Sequence, residues 1–366
     1  MKISEVIELI SGGTPNTKKQ EYWNGNIPWL SVADFNNNNK FVYTSSKFIT
    51  KEGYSNCNTN MLNKGDIIIS ARGTVGVSAI LGRPMAFNQS CYGIRGIEKV
   101  SDTDYIYYYL KYIVNEIIQN SYGAVFDTIT TKTFDNIDIN LPSLDTQKKI
   151  TFILNSFDDK IDVLYRQNAT LEKMAETLFR QWFIVEAKDD WEDVKLGDFF
   201  SIKTGKKDAN YAVENGSYPF FTCSQKIFSA PDFSFEGSAI LLAGNGDFNI
   251  KRYTGKFEAY QRTYVLIPYD TEFYNFLYIL MKYYLLDITD GHRGSVVNFI
   301  TKGMIENFKF YIPKADYNNK LKIFNDLYKK VDDNTYQIST LERLRDTLLP
   351  KLMSGEIRVQ CDEEAL

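Results

Sequence analysis

Histidine is almost absent from this 366-residue chain, which has a single one, His292. One imidazole excludes a multi-histidine metal site and argues against a hydrolase triad. It stands in the polar run Asp290-Gly291-His292-Arg293-Gly294, which reads as a loop. Cysteine is scarce too. Cys57, Cys91, Cys223 and Cys361 are scattered without a CxxC pair, which suits free thiols in a reducing cytoplasm and argues against zinc or a disulfide framework. No apolar run approaches about 18 residues and no basic-then-apolar leader opens the chain, so neither a membrane span nor a signal peptide is expected. Excess positive charge is also missing. A net charge of −4 weighs against coating nucleic acid by bulk attraction, but leaves room for local basic loops.

Catalytic motifs are missing as well. No GxxxxGK[ST] phosphate loop occurs, so ATP is not bound by that route. No Asn/Asp-Pro-Pro-aromatic segment of the kind used by adenine methyltransferases is found. Glu186-Ala187-Lys188 echoes a nuclease Glu-x-Lys pair but falls at a helix end in a charged linker. The glycines of Gly73-Thr74-Val75-Gly76 and Gly244-Asn245-Gly246 read as tight strand connections, with an anion cradle as the rival reading.

What the chain does contain is a long repeat. The stretch from Leu141, with LPSLDTQKKITFILNSFDDKIDVLYRQNATLEKMAETLF, returns from Ile312 as IPKADYNNKLKIFNDLYKKVDDNTYQISTLERLRDTLL. Thr170-Leu171-Glu172 matches Thr340-Leu341-Glu342 at an offset of 170, and Pro142 matches Pro313 at 171. The chain is a doubled unit. Both copies read as helices with a heptad seam: Ile150, Leu154, Phe157, Ile161, Leu164, Leu171 and Leu178 in the first, and Phe324, Val331, Ile338, Leu341 and Leu348 in the second. A lone heptad helix cannot bury its seam, so the two copies are expected to pair. Polar Asn168, Asn334 and Arg345 would then help fix register at some cost in stability. The rival arrangement is two separate surface helices, each on its own globular half.

The intervening segments repeat as well. In the first, Ser11 to Pro15 is a turn, Ile27 to Val32 a strand and Asn36 to Asn39 a loop. Gly65 to Ser70 leads into a buried strand, Arg72 to Gly76 forms a glycine turn, Met85 to Gly93 is a strand and Tyr105 to Gln119 a helix. Ile137 to Leu141 is a closing strand. In the second, Leu196 to Thr204, the turn Gly205-Lys206-Lys207, Tyr218 to Thr222, Gly237 to Leu242, Gly244 to Gly246 and Tyr260 to Tyr264 follow in the same order. Gly294 to Ile300 parallels Gly123 to Ile129. Phe308 to Ile312 closes the second segment. The scaffold repeats while the loop residues differ, as expected of two related domains that read different things.

In this order, Gly65-Asp66-Ile67-Ile68 with its Arg-Gly-Thr-Val-Gly turn, Asn88-Gln89, the Gly-Ser-Val segment at Gly294 and Leu141-Pro142…Gln147 before the long helix resemble the specificity subunits of type I restriction–modification systems. The resemblance covers nearly the whole chain. It departs at the helix starts, where proline-proline and glutamate-glutamine commonly stand. Here they are Pro142-Ser143 with Thr146-Gln147, and Pro313-Lys314 with Asn318-Asn319. The resemblance implies an α+β chain of two tandem α/β target-recognition domains, separated by two long helices forming an antiparallel coiled coil with pseudo-two-fold internal repeat. The expected bounds are 1–142 and 188–313 for the domains, 143–187 and 314–358 for the helices, and 359–366 for an acidic tail. It further implies a non-catalytic cytoplasmic subunit that binds double-stranded DNA. Each domain would read half of a bipartite target, and the helices would set the gap and dock methyltransferase subunits, two of them. Motor–nuclease subunits would complete the assembly. S-adenosylmethionine, ATP and Mg are expected on those partners and no cofactor on this chain. The alternative is a coiled-coil interaction scaffold with two ligand-binding lobes and no DNA role.

Base reading needs arginine, asparagine and glutamine on loops, with lysines on phosphates. The candidates are Lys18, Lys19, Asn24, Arg72, Thr74 and Gln89 in the first domain. In the second they are Lys206, Lys207, Gln225, Lys226, Asn245, Arg252, Gln261 and Arg293. Ordinary solvated surface is the competing reading for each, and a structural hydrogen bond for Gln89 and Gln261.

Overall fold

The computed structural model describes residues 1–37, 39–121, 128–246, 248–289, 299–314 and 317–359. His292, Arg293, Gly123 to Phe126, Gly294 to Asn298 and Cys361 lie outside the described residues. The chain divides into two units. Unit 1 is Met1–Tyr165 with the segment from Tyr336 onward, and unit 2 is Arg166–Thr335. Each therefore holds one α/β domain and half of each long helix.

Unit 1 carries strands β1 (Ile7–Ser11), β2 (Trp23–Leu30), β3 (Phe41–Val42), β4 (Lys47–Ile49), β5 (Met61–Leu62), β6 (Ile67–Ser70), β7 (Ser78–Leu81), β8 (Met85–Phe87) and β9 (Cys91–Gly96). Its helices are α1 (Lys51–Ser55), α2 (Thr103–Ser121) and α3 (Thr131–Asn136), followed by the start of α4 (Leu144–Arg180). Two sheets form, ordered β1-β9-β6-β7-β3 and β4-β2-β8-β5. The run Ile67-Ile68-Ile69 is buried on both faces, which explains its unbroken apolar reading. Two expectations are corrected. Met85 to Gly93 is not one strand, because Asn88 to Ser90 form a turn, with the Asn88 side chain accepting from Ser90 N at 3.2 Å. Ile137 to Leu141 forms no strand, only an isolated bridge between Asp138 and Lys2.

Unit 2 repeats the frame with β10 (Glu192–Lys195), β11 (Phe200–Thr204), β12 (Tyr218–Phe221), β13 (Phe228–Ala230), β14 (Phe235–Ala243), β15 (Ile250–Ala259), β16 (Thr263–Pro268) and β17 (Lys309–Ile312). Helices α5 (Tyr274–Tyr283), α6 (Leu285–Thr289) and α7 (Lys302–Glu306) precede α8 (Asn318–Met353). The order β11-β16-β14-β15-β12-β13 matches β1-β9-β6-β7, with β15 spanning what β7 and β8 divide in unit 1. Strand β10 pairs with β17, so the closing strand expected at Phe308 to Ile312 does form here.

Helices α4 and α8 have 37 and 36 residues, about 55 Å each. They pair antiparallel: within unit 1 the first half of α4 meets the second half of α8, and within unit 2 the remaining halves meet. Ile150, Leu154, Ile161, Leu164, Phe324, Val331 and Ile338 are buried. Leu171, Leu178, Leu341 and Leu348 are half-buried beside the same clusters. Phe157 is half-buried, because Asp158 takes the inward place and meets Arg345 at 2.5 Å. The buried face also includes Phe179 and Phe183, which stack at 5.6 Å and pack on Phe276 of α5. Gln147 is fully buried at the start of α4. Its amide accepts from Asp102 N at 2.8 Å and donates to Pro142 O at 2.9 Å and Val100 O at 3.2 Å, which ties the helix start to the first domain.

Candidate nucleic-acid interface

In each unit three chain segments converge beyond the strand ends. In unit 1 they are the turn after β6, the turn between β8 and β9, and Ile129. Ala71 N donates to Ser90 O at 2.8 Å, and Ile129 N donates to Ala71 O at 2.9 Å. Gly13 N reaches Phe87 O at 3.0 Å and brings the loop after β1 alongside. Gly12 must lack a side chain there, since a Cβ would collide with the Asn88 carbonyl. The turn after β6 is held open by left-handed Gly73 and Gly76, at φ +81° and +86°. Ser70 Oγ steadies it by donating to Thr74 O and accepting from Val77 N.

On this frame Arg72, Thr74 and Gln89 are all exposed. The Gln89 carbonyl accepts from the Thr14 hydroxyl, which positions that amide without burying it. Lys18 and Lys19 lie exposed on the loop after β1. That loop is tied to the cluster through Trp23 Nε1 on Asn16 O at 3.3 Å and Trp29 Nε1 on Gly13 O at 2.9 Å. Lys19 donates to Tyr22 Oη at 2.9 Å, and that bond raises its pKa. Asn24 is exposed and left-handed at φ 61°, where β2 shifts register against β4.

Unit 2 reproduces the frame. Gly244 N donates to Arg262 O at 2.8 Å and Ile300 N to Gly244 O at 2.9 Å. Asn245 bridges Phe299 through the backbone, and Lys207 bridges Tyr260. Gln261 Nε2 donates to Asp208 Oδ1 at 2.6 Å, so this glutamine is engaged. Lys206, Gln225 and Lys226 are exposed, and Lys207 sits 4.2 Å over the Tyr211 ring. Between the turns opens a hollow of about 380 Å³, lined by Thr204, Asn245, Gln261, Arg262, Tyr264 and Phe299 among others.

Arg252 does not join this cluster, and the expectation that it stands on a loop is corrected. It lies on β15 with its side chain 11% exposed, forks onto Asp332 of α8 at 2.5 and 3.1 Å, and stacks 4.3 Å over Tyr328. Burial alone would lower its pKa, but the hydrogen bonds and charge of Asp332 hold it above its ordinary value. It clamps the domain to the helix. Asp332 matches Asp162 in the repeat, and in unit 1 Asp162 accepts from Tyr43 Oη at 3.1 Å. Lys40, which sequence reading passed over, plays a similar part. It is buried and donates to Asn155 Oδ1 at 2.5 Å and Tyr108 Oη at 3.2 Å. Arg262 was passed over as well, although it stands beside Gln261 where Ser90 stands beside Gln89.

Among the described residues no group of three or more His, Cys, Asp or Glu could hold a metal ion, and no helix is long and apolar enough to cross a membrane.

Two repeated α/β domains, each followed by one member of a helical pair and each presenting a polar loop cluster, define a duplicated recognition protein. The type I restriction modification DNA specificity domain matches residues 1–173 and again 188–343, and the chain belongs to that family, the specificity subunits of type I restriction–modification systems. It is 29% identical to the Type I restriction enzyme MjaIX specificity subunit of Methanocaldococcus jannaschii, over 98% of this chain and 93% of that one. A stretch covering 46% of this chain and 39% of the relative is 39% identical to the EcoDI specificity subunit of Escherichia coli. The crystal structure of a type I restriction–modification S subunit from M. genitalium has the same fold, with a TM-score of 0.58, 20% identity, and coverage of 96% of this chain and 95% of that one.

Proposed function

We propose that this chain is the non-catalytic, address-giving subunit of a cytoplasmic type I restriction–modification assembly. Each α/β domain reads one half of a split double-stranded DNA target. The helical pair sets the gap and offers similar docking surfaces to two methyltransferase subunits, since repeated elements present the same face twice. The methyltransferases would bind S-adenosylmethionine and methylate adenine N6. Motor–nuclease subunits would use ATP and Mg. The observation that supports this most directly is the loop frame built twice on the same backbone hydrogen bonds but carrying different side chains: Arg72, Thr74 and Gln89 in one copy, Asn245, Gln261 and Arg262 in the other. A plain structural duplication has no need for polar loop side chains that differ between copies, and arginine, asparagine and glutamine are the types that match base edges.

The test is a methylome. The chain is co-expressed with its neighbouring candidate methyltransferase in a host free of background methylation, and modified adenines are mapped by single-molecule sequencing. A split, asymmetric motif with a fixed gap that vanishes when this chain is omitted is expected. Co-purification of the two proteins without any motif would instead favour the scaffold reading. Removal of one heptad from one helix should change the gap and leave both sets of letters intact.

A further inference from the structure

The two loop clusters share a backbone frame but carry their arginines on different turns. The hydrogen bonds that equate Ala71 with Gly244 and Ser90 with Arg262 also equate Arg72 with Asn245. In unit 1 the exposed arginine follows β6, whereas in unit 2 it precedes β16. The Arg262 backbone is fixed, since its carbonyl accepts from Gly244 N at 2.8 Å and from Cys223 Sγ at 3.4 Å. Its side chain is exposed and makes no ion pair among the described residues. Gln261, which also lines the hollow, is held by Asp208, while Lys207 and Arg252, which do not line it, lie over Tyr211 and on Asp332. Arg262 thus combines a fixed Cα, an unpaired planar fork, and a hollow whose wall includes Tyr264 and Phe299.

We propose that Arg262 is a specificity-determining residue of the second domain and reads a guanine from the major groove. This rests on the DNA-reading function proposed above. The guanidinium fork matches guanine O6 and N7 simultaneously, which a lysine ammonium cannot do. A side chain held at a fixed backbone point beside a concave wall can discriminate one base edge, whereas a mobile surface arginine would settle on phosphates.

The experiment compares methylomes of wild type, Arg262→Ala, Arg262→Lys and Arg72→Ala, each co-expressed with the same methyltransferase. The wild-type motif is expected to contain a G·C pair in the half that Arg262→Ala alters. At that pair, discrimination should fall roughly tenfold or more in both Arg262 variants. The gap, the other letters of that half and the whole of the other half should stay unchanged, while Arg72→Ala should affect the other half. Uniform loss of methylation in Arg262→Ala, restored by lysine, would make Arg262 a phosphate contact and overturn the proposal. An unaltered motif, or an affected half without any G·C pair, would overturn it too. In all three cases the wild-type motif still stands, so the specificity function survives. A wild type that directs no motif would instead defeat that function and the proposal with it. Unchanged urea unfolding of Arg262→Ala serves as the folding control, as expected for an exposed side chain.

Discussion

Substituting Arg345 by methionine should destabilise unit 1 more than substituting Arg345 and Asp158 together. Asp158 is 2% exposed. Its two oxygens take the Arg345 guanidinium at 2.5 Å and the Tyr108 hydroxyl at 2.5 Å. Removing Arg345 leaves a buried carboxylate with a single neutral donor, at a cost of about 3–5 kcal/mol. Asp158→Leu is milder, because Arg345 keeps Asp346 at 2.8 Å, and that carboxylate faces solvent. With both gone, as Asp158→Leu with Arg345→Met, two apolar side chains face each other and stability should return close to that of the wild type. Unfolding of a two-unit chain is not all-or-none, so the readout is hydrogen exchange by region. Peptides from α2, from 144–165 and from 336–353 should exchange roughly 150- to 5,000-fold faster in Arg345→Met, since about 1.36 kcal/mol is one decade. The double variant should recover most of that protection, and peptides from α5 in unit 2 serve as the internal reference. A double variant as exposed as the sum of the two singles would refute the reasoning, because additive losses mean that the two side chains are not energetically coupled.

Arg252→Ala should loosen unit 2 by about 1–2 kcal/mol through the lost hydrogen bonds to half-exposed Asp332 and the lost packing on Tyr328 and leave the recognised letters unchanged. Exchange of β15 and of 324–335 measures the first and a methylome the second, and altered letters would return Arg252 to the DNA face. Asp34 accepts from Ser31 N at 2.7 Å, Ser31 Oγ at 2.9 Å and Ser46 N at 2.7 Å. Partial burial pushes its pKa up, but these bonds outweigh burial and hold it below 3.8. Its stabilisation is therefore complete above the ordinary carboxylate range and lost as pH falls through the folded value, below about pH 4. Asp34→Asn should cost about 1–2 kcal/mol at neutral pH and flatten that part of the acid limb in urea unfolding followed across pH, and an unchanged limb would remove Asp34 from it.

The helices and the duplication were legible because a heptad seam and an offset of 170 are local sequence signals. The buried strand Ile67–Ser70 was legible for the same reason. The turn at Asn88 to Ser90 was missed because apolar residues flank it on both sides, and only the Asn88 side-chain bond to Ser90 N shows the break. Arg252 was read as an exposed loop residue because an arginine between polar neighbours looks exposed, whereas its side chain is mostly buried on β15. Its partner Asp332 is 80 residues away on another element, and tertiary pairing leaves no mark in local composition. Lys40 was passed over for the converse reason, since a buried lysine is rare and its partners Tyr108 and Asn155 are equally distant. Phe179 displaced Leu178 from the inward place because an aromatic cluster with Phe183 and Phe276 took the helix face that a strict heptad assigns to leucine.

Where the two copies of the helix differ, the differences specify which helix pairs with which. Within unit 2, Asn334 Nδ2 donates to Asn168 Oδ1 at 2.9 Å, and Asn168 Nδ2 reaches Thr335 Oγ1 at 3.3 Å. In the repeat, Asn168 corresponds to Ile338 and Asn334 to Leu164, and within unit 1 those two residues share one apolar cluster. If α4 packed on a second α4 in the same antiparallel frame, Asn168 would face Leu164 and Asp158 would face Ala175. If α8 packed on α8, Asn334 would face Ile338 and Arg345 would face Tyr328. Each orphaned amide costs about 1–3 kcal/mol and each orphaned buried charge about 3–5 kcal/mol. Association between like helices of two chains is therefore penalised at these polar layers, while α4 on α8 gives Asn334 Nδ2 its Asn168 acceptor and Arg345 its Asp158, leaving Asn334 Oδ1 without a partner among the described residues. Asn168→Ile with Asn334→Leu makes the central layers alike and should raise the dimer fraction seen by light scattering at a given concentration. Adding Asp158→Leu and Arg345→Leu should raise it further. If the fourfold variant shows no more dimer than wild type across the accessible concentrations, these polar layers do not choose the partner helix, and their role reduces to register within the pair.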